Sequence, residues 1–238
     1  MKKLILSLAL CFAAVAGFAQ EASDPNQLLN EGKTALEAKN YQEAFDKLSA
    51  YLTQTNNEDS VIAFNCGVCA DKIKKPAEAA KYFDIAIKKN YNLVNSYIGK
   101  VGALKDLKQN DEYVAALKEA MTAVPDNKAT FEKMYVNFYL TQGVAAQKAK
   151  NTDAAAAAFK EVLAMQPQNL NALNALGLLY YTKGAGLVQS DMDKAKAEFA
   201  TAKQYLDQLV PLLSESNAAQ KKMLTNANTM LNYINSLK

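Results

Sequence analysis

Apolar residues along this chain recur at helical spacing, in a motif that repeats. Alanine followed four residues later by a bulky apolar residue appears as Ala44 with Leu48, Ala79 with Phe83, Ala155 with Phe159 and Ala195 with Phe199. Such pairs lie on one face of a helix. Nowhere do four to eight residues alternate in the β manner between turn signals, so the pattern predicts an all-α chain. Glycine supplies a second rhythm. Gly32, Gly67, Gly102, Gly143 and Gly177 stand 35, 35, 41 and 34 residues apart, the period of a stacked array of helix pairs. Ala44, Ala79 and Ala155 each follow their glycine by twelve residues, while the third unit carries Tyr113 and Leu117 in the corresponding slots. Pro125 and Pro167 close the third and fourth units. Asn151-Thr152-Asp153 marks one helix start and Pro76 suits the first turn of another.

The motif resembles the tetratricopeptide repeat, with pattern W-x-x-L-G-x-x-Y, then A-x-x-x-F, then P. The best local match is Leu173-x-x-Leu176-Gly177-x-x-Tyr180. The first and fourth units depart from it, with Glu31 and Gln142 where Leu should precede the glycine. The resemblance implies a right-handed superhelical solenoid of about five antiparallel helix pairs. Units are expected at about 26–57, 58–92, 93–127, 128–169 and 170–210. A solenoid exposes apolar surface at its last repeat. Leu224, Ala227, Leu231, Ile234 and Leu237 predict a C-terminal capping helix within 217–238. Eight extra residues before Gly143 predict a first helix about two turns longer, from near Ala129 to near Lys148. The six extra residues between Gly177 and Ala195, with Gly184, Gly186 and Ser190-Asp191, predict a loop and then a capped helix.

Composition narrows the chemistry. The 238 residues contain no His and no Trp, and every one of the 27 basic side chains is Lys. Imidazole bases, Ser-His or Cys-His nucleophiles, His metal ligands and bidentate Arg clamps are all absent. The formal charge of +3 gives no basic face for nucleic acid. No catalytic residue, metal site or cofactor is expected, and the reading is a non-enzymatic protein. Cys66-Gly67-Val68-Cys69 has CxxC spacing, but it falls in the middle of a helix rather than at an N-terminus that would acidify a thiol. Core packing, a structural disulfide and a thiol-active pair remain the three readings.

In the tetratricopeptide family, the first helix of each pair lines a concave groove where peptides or partner helices dock. Residues three before and one after each glycine share a helix face. They read Leu29 and Lys33, Phe64 and Val68, Gly99 and Ala103, Leu140 and Val144, Asn174 and Leu178, with Leu36 and Tyr181 one turn on. The resemblance therefore implies a protein or peptide partner held on a mostly apolar face, or self-association through it. The alternative reading is burial of these residues between neighbouring repeats. The family's carboxylate clamp is not matched, since Leu29 and Lys33 occupy its Lys and Asn places. A different class of reading is glycan or small-molecule binding through Tyr135, Tyr139, Tyr180 and Tyr181.

The N-terminus adds an address. Lys2 and Lys3 precede an apolar stretch, Leu4 to Val15, and Gly17-Phe18-Ala19 forms a small-x-small cleavage pattern before Gln20. A signal peptide over 1–19 is expected, followed by an array over 20–216, with a periplasmic or secreted destination in a Gram-negative-type bacterium. Leu10 before Cys11 argues against a lipoprotein, and no later segment is apolar enough to span a membrane.

Overall fold

A computed structural model describes residues 24–237; the expected signal peptide, its cleavage site and Cys11 lie outside them. Among the described residues eleven α-helices follow one another without a strand. Five antiparallel pairs form: α1 (Pro25–Glu37) with α2 (Tyr41–Thr55), α3 (Ser60–Lys72) with α4 (Pro76–Lys88), α5 (Leu93–Asp106) with α6 (Asn110–Ala123), α7 (Lys128–Lys148) with α8 (Thr152–Met165), and α9 (Leu170–Leu187) with α10 (Met192–Leu209). A last helix, α11 (Ala218–Ser236), packs on the fifth pair. The pairs stack into a right-handed superhelical solenoid. Its first helices draw together on one side, since α3 touches α5 across α4 and α9 touches α11 across α10.

Short polar side chains cap the starts of six of the eleven described helices. Asp59 accepts from the amides of Val61 and Ile62, Asn169 from Ala172 and Asp191 from Lys194, each satisfying backbone donors that the first turn leaves free. The turns inside four pairs share one design. Lys39, Lys74, Lys108 and Lys150 adopt left-handed φ of 56 to 59°. The amide after each donates to a carbonyl five residues back, as in Asn40 to Ala35 and Gln109 to Leu104, which closes the helix end.

Those lysines fix the register, and they correct one expectation. Gly32, Gly67 and Gly143 stand seven residues before their lysine, but in the third unit that slot is Val101, not Gly102. Val101 is fully buried, whereas a Cβ on Gly102 would meet nothing within 4 Å. The glycine slots themselves are close approaches: a Cβ on Gly32 would lie 2.6 Å from Leu48, and one on Gly143 2.6 Å from Phe159. The extra residues of the fourth unit lengthen α7 to 21 residues, as its spacing predicts.

The expected loop at 184–190 is not formed. Gly184 and Gly186 lie inside α9, and both helices of the fifth pair run to 18 residues. Gly184 faces Phe199 and Gly177 faces Leu206, so this pair has two glycine contacts instead of one. Glycine here serves close packing, not a turn. The core follows the array as four successive clusters rather than one central mass.

Candidate partner-binding groove

With the slot of the third unit at Val101, its row residues become Ile98 and Gly102. Gly99 and Ala103 leave the row: Gly99 presses on the Phe83 ring, and Ala103 is buried. The register slip was visible in the sequence, because Tyr113 follows Gly102 by eleven residues instead of twelve.

The row is graded along the solenoid. At the N-terminal end Leu29, Leu36, Phe64 and Val68 are half-buried against the first core cluster, and Lys33 is exposed. Phe64 packs edge-on against Phe83 and Tyr91, with ring centres 5.7 and 5.6 Å away. Leu140 packs on the third cluster, Asn174 is half-buried, and Tyr181 lies against Phe199 and Tyr233. Between and beyond them the row opens. Ile98, Val144 and Leu178 are 37%, 44% and 46% exposed. Val61, one turn before Phe64, is also exposed at 42%.

Charge on this face is sparse: Lys33 in the first unit, and Asp71 and Lys105 at the places that Leu36 and Tyr181 hold in theirs. Six residues before each slot stand Asn26, Val61, Asn95, Asn137 and Asn171, all exposed. Carboxamides both donate and accept, so they can pair with peptide groups without the desolvation penalty of a charge. Two cavities adjoin the row. One of about 390 Å³ lies between α5, α6 and α7 beside Gly102, and another of about 330 Å³ lies beside Leu178 and Lys183. A wider hollow of about 690 Å³ lies over the single turn 166–171 and reaches Asn171.

Neither alternative chemistry is assembled. Tyr135 is buried and donates to Glu161 at 2.6 Å, Tyr139 packs half-buried on Tyr135 and Phe138, Tyr180 stacks on Tyr205, and Tyr181 is packed as above, so the four tyrosines present no common sugar platform. Cys66 and Cys69 are unbridged and fully buried. Burial pushes both thiols up, Cys69 to about 11, the opposite of an activated thiolate. A raised thiol favours the folded state fully below the ordinary thiol value of 9.0. Above it the unfolded thiols ionise first, so stability falls as pH rises towards about 11. Denaturant titrations at about pH 8 and about pH 10.5 should therefore show a larger alkaline loss in the wild type than in Cys66→Ala/Cys69→Ala. That variant should itself cost about 1–3 kcal/mol from lost buried volume. Equal alkaline losses would remove the thiols from the account. Among the described residues no cluster of acidic or thiol side chains could hold a metal ion.

A tetratricopeptide repeat model matches residues 140–203. A crystal structure of a TPR repeats protein from Bacteroides fragilis is 47% identical, with 87% of this chain and 99% of that one covered and a TM-score of 0.70. The chain belongs to the tetratricopeptide repeat family. More distant likenesses include MamA from Desulfovibrio magneticus RS-1, 16% identical over 76% of this chain and 94% of that one, TM-score 0.37. The TPR domain of P58(IPK) is 15% identical over 88% of this chain and 66% of that one, TM-score 0.43. No protein with a curated description matches. Tetratricopeptide arrays are in general non-enzymatic scaffolds for protein–protein interaction, and this fold suggests a protein partner. Among the described residues no helix is long and apolar enough to cross a membrane.

Proposed function

We propose that the protein is a non-enzymatic scaffold of the bacterial cell envelope that binds a partner helix or extended peptide along its first helices. The observation that carries this reading is the open stretch Ile98, Val144 and Leu178, large apolar side chains left exposed on one face of the first helices. Single exposed apolar residues are ordinary; several along one row of consecutive repeats favour a docking surface. The envelope assignment rests on the apolar N-terminal segment and its small-x-small site before Gln20.

Val144→Lys combined with Leu178→Lys tests the groove without disturbing the core, because both side chains are nearly half exposed. Capture of partner from envelope extract should fall about thirtyfold or more, while the melting temperature stays near that of the wild type. Unchanged capture would overturn the groove. Recovery of Met1 by N-terminal sequencing of the protein purified from its host would overturn the export assignment.

A further inference from the structure

Six of the eight described glycines press on a neighbouring side chain, and Gly186 lies one residue from the end of α9. Gly102 fits neither account. It sits well inside α5, nothing lies within 4 Å of its missing Cβ, and its φ is not positive. Glycine in a helix interior costs about 1 kcal/mol relative to Ala, and here neither packing nor backbone geometry offsets it. The absent side chain leaves open the cavity of about 390 Å³ between α5, α6 and α7.

The lining of that cavity has a direction. Val101, Tyr113 and Phe138 supply apolar walls, and Tyr113 and Phe138 hold each other with ring centres 5.1 Å apart. Asn137 and Gln142 supply carboxamides. Lys105 is the one charged lining residue, and it has no ion pair among the described residues. Lys100, on the same helix, is instead engaged with Asp84 at 2.6 Å. The volume lies near the lower end of ligand pockets, about 300–1,000 Å³, enough for one large side chain and its neighbours.

The geometry points to a socket beside Gly102 that receives one bulky apolar side chain of the partner, with an adjacent carboxylate paired to Lys105. Asn137 and Gln142 then face the main-chain amides on either side. This deepens the groove reading and rests on it, and it makes the third and fourth units the point where the partner's register is set.

N-acetyl-L-leucine and N-acetyl-L-phenylalanine carry the three required groups and serve as probes by NMR. Both should shift the Gly102 amide and the Met134 methyl and saturate at about 1–10 mM. N-acetyl-L-leucinamide, lacking the charge, should bind about three- to fivefold more weakly. Lys105→Gln should erase that difference, and Gly102→Leu should abolish all binding without lowering the melting temperature. Gly102→Met repeats the block with another good helix former if leucine is poorly accommodated. Equal affinity of acid and amide for the wild type, persistent binding to the blocked variants, or silence at Gly102 with both acids would each overturn the socket. So would the same shifts with maltose, which would indicate a saccharide site. Partner capture separates the two levels. If Gly102→Leu retains capture while Val144→Lys with Leu178→Lys loses it, the socket falls and the groove stands. If all retain it, the groove falls as well.

Discussion

Phe83→Ala should be among the most damaging single substitutions in the array, lowering stability by about 3–5 kcal/mol. Its ring is almost fully buried and lies in a slot between two glycines on different helices. A Cβ on Gly67 of α3 would meet one edge at 2.9 Å, and a Cβ on Gly99 of α5 would collide with the other. The ring thus ties the second pair to the third. Gly99→Ala provides the complementary test. Alanine normally stabilises a helix interior by about 1 kcal/mol over glycine. Here the ring cannot retreat, because Gly67 backs it, and overpacking should cost about 1–3 kcal/mol instead. Gly102→Ala, three residues on in open space, should show the ordinary gain. Urea titrations of both variants decide the matter. Gly99→Ala at least as stable as Gly102→Ala would contradict the slot. Replacing Phe83 by Leu should relieve the Gly99→Ala penalty, since the two sites share one contact.

The same contacts explain what could be read from the sequence. Ala–x–x–x–Phe and its glycine are local signatures of one close helix–helix contact, so the all-α solenoid and the elongation of α7 followed from spacing alone. The third unit misled because α5 holds two glycines, Gly99 and Gly102, neither in the slot. Gly99 accommodates Phe83 of the preceding pair, and Val101 fills the slot itself. The 35-residue spacing to Gly102 was a coincidence of one position, and it displaced two groove residues. Gly184 misled in the other direction. Read as a turn signal, it is a packing glycine opposite Phe199. The groove was legible only as a face. Val68 and Val144 hold equivalent places in their units, yet one is half-buried against the first core cluster and the other is 44% exposed. That difference depends on how neighbouring repeats meet, which no single unit encodes.

Ending the chain before Ala218 should strip the last pair of its cover and cost about 5 kcal/mol. On α11, Ala227 and Met230 are buried, and Met223, Leu231 and Ile234 are partly so, against a cluster that includes Leu173, Leu206 and Leu209. Full burial of such side chains contributes about 1.5–3 kcal/mol each, and half-burial proportionately less. In a solenoid each unit is stabilised by its neighbours, so the loss should be local. Amide exchange should quicken throughout α9 and α10, weaken through α8, and leave α1 to α4 protected. Met230→Ala should reproduce a milder form of the same gradient. Uniform loss of protection from α1 onwards would mean that the array unfolds as one cooperative unit, and unchanged exchange in α10 would deny α11 its capping role. The consequence reaches the groove, because Leu178 and Tyr181 are carried by α9. A truncated chain should therefore lose the contribution of Leu178 to partner binding while the socket beside Gly102, built on the third pair and α7, continues to bind N-acetyl-L-leucine.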